Sequence, residues 1–471
     1  VARAVLAGSI VVGSAAACYY AWAGLTLSHY DARAHLVVAR RIADSLTPGW
    51  RQIGAVWLPL PHVLNAPLVW IDASYRTGFT AVAISVLSLS LGLAALARLV
   101  VARTGSRAAA FAGPALILLN PNVLYLQSTP MTEPLLFGLS LLALERVDAW
   151  LAAPSPIREW SAGWALAMLV LTRYEGWCIA AALMAVAAVG VRGRSVRLLL
   201  YPGTAILAFL LLGWASSGNW FVMSGFFVPD NPARHQPVRV LADVASGTSE
   251  LAGRILVAAA VLGAATCLVR VRREWTALLP LALVAAVALP AVAFYQGHPF
   301  RVRYMAPMIV ASGALAAWGL ARLRPSVRAW AAAALVLAVW VERPPLDPRA
   351  GMVVEAQWET PYRLERRAVT RYLDTAYDGS PILASMGSLA HYMQETSAHG
   401  LAIANFIHEG NGDLWAFTVE SPRRHARWML IEERAEGGDA LAARAKAAPS
   451  YLDGFARVAE GGGLALYRRI E

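Results

Sequence analysis

The sequence predicts a polytopic α-helical membrane protein of about 11 transmembrane helices, followed by a small extracytoplasmic α/β domain. Three observations predict it. Of 471 residues, 58% are hydrophobic and 15% charged, too apolar a balance for an ordinary soluble protein. Runs of roughly 18 or more nearly uncharged residues recur, the length that crosses a hydrocarbon core of ~30 Å. The arginines between those runs are dense in one connection and sparse in the next, the bias that separates cytoplasmic from external loops.

The apolar segments fall at about 4–25, 77–101, 108–122, 133–151, 160–172, 175–191, 197–216, 252–270, 276–295, 303–321 and 327–342. The first resembles a signal peptide only superficially. It is long enough to span, and no small-residue cleavage site with a soluble domain behind it appears, so a retained helix is expected. An odd number of spans puts the termini on opposite faces. One set of connections holds Arg103, Arg107, Arg158, Arg192, Arg194, Arg197, Arg270, Arg272, Arg273, Arg322, Arg324 and Arg328, which marks it as cytoplasmic. The other face then carries a long first loop (26–76), turns at 123–132, around Arg173 and at 296–303, a loop at 217–251, and the C-terminal residues. The N-terminus is expected inside and the C-terminus outside, with a membrane domain over 1–342 and a soluble domain over 343–471.

Charge follows the same division. Residues 1–342 hold 26 Arg and 13 Asp/Glu, while residues 343–471 hold 14 Arg, one Lys and 17 Asp/Glu. A basic membrane part beside a near-neutral soluble part points to anionic lipid and argues against nucleic acid, which the pI of about 9.9 alone would suggest. The one lysine, Lys446, excludes a P-loop ATPase, whose motif needs a lysine earlier in the chain. Cys18, Cys178 and Cys267 all lie in apolar runs, so no disulfide framework is expected.

Within the first outer loop, Asp31, His35 and Arg40 share one face at helical spacing, with Leu36, Val37 and Ile42 as apolar positions. This predicts an amphipathic helix lying in the membrane interface. Trp50 and Trp57 follow in an apolar-aromatic stretch that ends at Pro61-His62, where Trp usually anchors at the headgroup level. Beyond residue 343, a strand is expected at 381–385, a helix capped by Ser388 and running to Gln394, a strand at 428–431, a helix at 439–447, and a hairpin of 455–458 with 464–467.

The chemistry-bearing candidates sit on the outer face. Asp31 suits either a helix N-cap or a general base that takes a proton from an attacking hydroxyl. Glu133 opens a span behind Thr132, which suits helix-start chemistry and structural support of a site. Arg173 and Glu175, between two short apolar runs, either pair with each other or line a cavity. Arg301 and Arg303, beside His298, Phe300 and Tyr304, carry guanidinium forks that match phosphate oxygens, or they snorkel to headgroups. His35, His62, His235 and His298 all map to outer loops, which permits a metal without indicating one. Ile407-His408-Glu409-Gly410 lacks the second histidine of a zincin helix.

In chain order these pieces are Asp31, Met131-Thr132-Glu133, Leu-Thr-Arg-Tyr-Glu-Gly at 171–176, Ser217-Gly218-Asn219-Trp220, Arg-Tyr-x-x-Pro from Arg303 to Pro307, and a terminal soluble domain. Over nearly the whole chain this layout resembles the GT-C superfamily of integral membrane glycosyltransferases. It is most similar to bacterial relatives of the protein O-mannosyltransferases and of the aminoarabinose transferase. The resemblance implies a multi-pass protein of the bacterial plasma membrane that moves a sugar from a polyprenyl-phosphate donor to a glycan, lipid or protein on the outer face, with inversion. Residue by residue, Asp31 matches the catalytic base, and Arg173 with Arg301 and Arg303 matches the groups that stabilise the departing lipid phosphate. His35, Trp57, His62, Glu133, Glu175, His298 and Tyr304 would support them. Many members carry a second acid beside the first where this chain has Ala32, which leaves the part of a divalent metal open. The alternative is a transporter or flippase-like carrier of lipid-linked sugars. Carriers place charges near the bilayer midplane and show paired repeats, whereas here the charges gather at one interface and no 20–50-residue repeat is present.

Overall fold

The structure, a computed structural model, describes all residues except 55, 221–230, 436 and 471 and the side chain of Arg192. Packing divides them into two compact units. The first comprises the described residues of Val1–Ala23, Val82–Phe209 and Ser224–Glu355, the second those of Gly24–Ala81, Leu210–Met223 and Ala356–Glu471. A boundary at 342/343 sorts residues by hydropathy. Compactness sorts them by burial, and Gly24–Ala81 packs with residues 356 onward.

In the first unit each expected apolar segment contains a helix. Length and apolarity suffice for crossing in Ala2–Trp22, Phe79–Thr104, Gly193–Ser217, Trp275–Gln296 and Pro325–Glu342. A sixth is reached if Pro237–Ala252 and Arg254–Arg270, bent by 111° at Gly253, count as one. The other expected segments miss this test on helix length or on charge, and the figure of about 11 is not confirmed by it. Arg107–Leu118 has 12 residues and rises about 18 Å, short of the hydrocarbon core. Pro156–Val170 and Pro307–Leu320 are also short, with 15 and 14 residues. Glu133–Ala152 carries Glu145, Arg146 and Asp148 in its second half.

These helices approach closely where glycine allows it. A Cβ on Gly263 would meet the carbonyl oxygen of Leu315, so only glycine lets Arg254–Arg270 seat on Pro307–Leu320. Buried polar groups lock the ends. Asn120 and Asn122 both donate to the Leu251 carbonyl, at 2.8 and 3.0 Å, and Asn122 accepts from the Met352 amide at 2.9 Å. The Glu342 carboxylate accepts from the backbone N–H groups of Arg254 (2.7 Å) and Ile255 (2.9 Å), capping a helix whose own N-cap position is Gly253.

The second unit is built on a five-stranded sheet of order β2-β1-β3-β5-β4. Its strands are β1 (Ile382–Ala384), β2 (Phe406–Ile407), β3 (Trp428–Glu432), β4 (Phe455–Gly461) and β5 (Leu464–Arg469). β1 pairs parallel with β2 and β3, while β3, β5 and β4 run antiparallel in turn. Period-two alternation splits the strand residues between two cores. Ile382, Ala384, Trp428, Leu430, Leu464 and Leu466 pack with Leu36, Val37, Val369 and Leu389 on one face. Leu383, Met429, Ile431, Ala465 and Tyr467 pack with Leu441 on the other.

Two expectations change here. The helix Tyr30–Arg40 is not surface-lying, because every residue from Ala32 to Ala39 is buried and the helix packs on Met386–Thr396. Its apolar positions face a protein core where an interfacial helix would face lipid. The second helix starts at Met386 behind Ser385, and Ser388 lies inside it, donating to Asp439 at 2.6 Å.

Candidate functional site

In the first unit the turns at Glu133, Arg173 and Arg303 bring together two guanidiniums and two carboxylates. Glu133 opens the helix Glu133–Ala152 behind Thr132 and is 1% exposed. Arg173, in the turn before Glu175, pairs with Glu133 at 3.0 Å and with Glu175 at 2.8 Å, and donates to the Thr132 hydroxyl at 3.0 Å. Arg303, also buried, reaches Glu133 at 3.6 Å. Burial by itself would push the Arg173 guanidinium down, but Glu133 and Glu175 outweigh it and hold it above its ordinary value. All three Arg173 side-chain nitrogens meet Thr132, Glu133 or Glu175, which makes this side chain the counter-ion of two buried acids.

The adjoining turn is ordered by its own polar groups. His298 Nδ1 lies 2.8 Å from the Pro299 carbonyl and therefore carries the proton, which leaves Nε2 to accept from the Tyr304 hydroxyl at 3.5 Å. Arg303 also stands 5.8 Å over the Tyr304 ring. Arg301 and Tyr304 are half-buried at the edge of the turn.

In the second unit Asp31 occupies the first turn of Tyr30–Arg40. The capping position belongs to His29, whose ring accepts from the Asp31 amide at 3.1 Å, so Asp31 is not the cap. Two residues on, Arg33 is fully buried and pairs with Glu395. Glu395 also accepts from Arg366 at 3.1 Å, and Arg366 pairs with Glu359 at 2.9 Å. His391 lies 3.9 Å from Glu359, and burial first, then Arg366 and Arg33, depress its basicity. Farther along the same helix, His35 Nδ1 and His62 Nε2 are 3.1 Å apart. His62 Nδ1 lies 3.2 Å from the Leu58 carbonyl, which fixes it as a donor and Nε2 as the acceptor from His35. Trp57 lies against His35 in a tilted ring contact, with centroids 4.1 Å apart. Burial, reinforced by Arg41, pushes His62 down to about 3, so it is neutral at physiological pH.

The structure thus joins Glu133, Arg173, Glu175 and Arg303 into one cluster, His298 with Tyr304, and His35 with Trp57 and His62. Sequence reasoning missed Arg33, Glu359, Arg366, His391 and Glu395. One signal was available: Arg33 sits among the apolar positions of its helix with no acid three or four residues away, so its partner had to come from a distant segment. Among the described residues no three His, Cys, Asp or Glu side chains stand close enough to hold a metal ion.

No protein-family model and no curated protein matches the sequence. Solved structures do match the fold. Crystal structures of ArnT from Cupriavidus metallidurans, one bound to undecaprenyl phosphate and one in the apo state, each superpose over 98% of this chain and 98% of their own, with 15% sequence identity and a TM-score of 0.57. This chain has the ArnT fold.

Proposed function

We propose that the chain is an inverting glycosyltransferase that moves a sugar from a polyprenyl-phosphate donor to an acceptor on the outer face of the bacterial plasma membrane. One observation carries this reading: the fold matches, over 98% of both chains, a protein crystallised with undecaprenyl phosphate. The arginine bias of the loops supports a cytoplasmic N-terminus and an external C-terminal domain.

The chemistry assigns a role to each candidate. A sugar phosphodiester is a poor electrophile until its leaving phosphate is stabilised, and fixed guanidiniums in a low-dielectric setting do this with little reorganisation. Arg301 and Arg303 take that role. Arg173, already committed to Glu133 and Glu175, holds the outer turns in register. Asp31 accepts the proton of the acceptor hydroxyl as its oxygen attacks the anomeric carbon. The new C–O bond forms as the bond to the phosphate oxygen breaks, and the lipid phosphate departs with the electron pair. Attack opposite the leaving group inverts the configuration.

The test is transfer of labelled sugar from polyprenyl-phosphate donors by the full-length protein in liposomes. Losing a positioned base slows transfer about 10²–10⁴-fold, which is the result expected of Asp31→Asn. A wild-type rate in that variant removes the base assignment. Absence of transfer by the wild-type protein from every polyprenyl-phosphate sugar removes the enzyme reading.

A further inference from the structure

A cleft of about 490 Å³ opens in the first unit beside the His298–Tyr304 turn. One wall is the helix Pro237–Ala252, which contributes Arg239, Asp243, Ser246 and Glu250 to the lining. Their spacing of four, three and four residues makes a single polar stripe. The facing wall is Pro299 and Phe300, and the Phe300 ring is 42% exposed. Away from this stripe the same helix exposes Val238 and Leu241. Gly253, at φ +86°, then turns the chain through 111° into the apolar helix Arg254–Arg270. A helix that leaves an apolar span at such an angle, with an exposed apolar side and a polar stripe, lies at the membrane surface. Gly247 sets the width of the cleft. A Cβ there would stand 3.1 Å from Phe300 Cζ and from Met305 Cε, so glycine lets the turn seat against the helix.

The lining defines a ligand chemistry. Arg239 and Asp243 pair at 3.0 Å, and Glu250 adds a second carboxylate, which leaves the stripe one negative charge in excess. Carboxylates accept from hydroxyls, the guanidinium and Ser246 donate to them, and the Phe300 face offers an apolar platform for ring C–H groups. Asn231 holds the turn itself, donating to the carbonyls of Gly297 (3.1 Å) and His298 (2.9 Å). Excess negative charge disfavours phosphate and carboxylate ligands. We propose that this cleft binds the uncharged, hydroxyl-bearing ring of a sugar substrate at the level of the membrane surface, next to the arginine turn. The proposal rests on the glycosyltransferase reading and adds a subsite and a charge selectivity to it.

The test uses the full-length protein in detergent, with methyl hexopyranosides as neutral probes and glucuronate as the anionic one, read by saturation-transfer NMR. Neutral glycosides are expected to bind and glucuronate not. Asp243→Asn, Glu250→Gln and Phe300→Leu, checked for unchanged thermal unfolding, should each weaken the glycoside about tenfold, the effect of losing one hydrogen bond to a charged group or one ring contact. Competition with a polyprenyl-phosphate hexose then identifies the source. Displacement of the glycoside assigns the cleft to the donor sugar, and simultaneous binding assigns it to the acceptor. No binding by the wild-type protein, equal binding of glucuronate, or unchanged affinity in all three variants overturns the proposal. Asp31→Asn keeps glycoside binding while losing transfer, so a failure of the base assignment is separately visible. Glycoside binding by a protein that transfers no sugar would retain the cleft and discard the enzyme.

Discussion

Glu395→Gln removes the carboxylate at the centre of a buried network. Glu395 faces two guanidiniums, Arg33 and Arg366, both essentially inaccessible to solvent, and Arg366 also pairs with Glu359 at 2.9 Å. The substitution keeps shape and removes one charge, leaving the fully buried Arg33 without its ion-pair partner Glu395. Breaking a buried pair from one side costs about 3–5 kcal/mol, because the remaining charge stays desolvated. For a unit of roughly 150–250 residues, each kcal/mol moves the unfolding midpoint by about 2–4 °C, so a loss of about 6–20 °C is expected. Thermal unfolding of the full-length protein in detergent, followed by tryptophan fluorescence, reads it, since Trp428 is buried in β3. Arg349→Ala is the control, because its pair with Asp347 leaves the arginine 86% exposed, and it should not move the midpoint. If Glu395→Gln shifts the midpoint no more than the control does, the network is solvated in solution and the energetic argument fails. Replacing Arg33 and Glu395 together by methionine should recover much of the loss, because both charges of that pair are then removed.

Other outcomes follow from the same structure. Arg301→Ala and Arg303→Ala should each raise the donor KM about tenfold or more, as expected when a charge-assisted phosphate contact is lost; unchanged donor binding would reduce both to headgroup anchors. Arg173→Lys cannot reproduce the fork to Glu175 and Thr132, so it should lower thermal stability while leaving donor KM close to wild type. A raised donor KM at unchanged stability would return Arg173 to the phosphate-binding set. Burial pushes the Glu432 carboxyl up to about 7, so the folded state holds a proton there that the unfolded chain releases near pH 4.5. Its contribution therefore falls as pH rises from about 4.5 to 7, and Glu432→Gln should flatten that part of the stability profile measured by denaturant titration. On topology, Ala440→Cys should react with a membrane-impermeant maleimide from outside the cell; labelling only from the cytoplasmic side would invert the orientation.

Hydropathy and punctuation made much of this molecule readable. The apolar segments became helices, and the strands at 382–384 and 428–432 and the Gly461–Gly463 hairpin followed from alternation and turn residues. What escaped was set by distant partners. The loop helix around Asp31 has a surface helix's pattern, yet its apolar side meets Leu389 and Met393, which are more than 300 residues away. The helix Thr360–Ala376 was not foreseen at all, since its burial depends on packing against β4. At the candidate site, single residues were visible as charges in unfavourable places, but the pairing of Arg173 with Glu133 and the tie from Arg33 through Glu395 to Arg366 needed the fold. Several of the apolar segments hold helices of only 12–15 residues, so segment number alone does not count the crossings.

The carboxylate of Glu342, at the end of one apolar helix, holding the first amides of another that begins almost ninety residues earlier, bears on how the protein is made. During synthesis Arg254–Arg270 emerges long before the residue that satisfies its leading N–H groups. Until Glu342 has been translated, those amides must be served by water or by the insertion machinery, so this segment should settle last even though it is not last in order. Released chains that end just short of residue 342 should then expose that segment to protease, and released chains that end a few residues later should protect it.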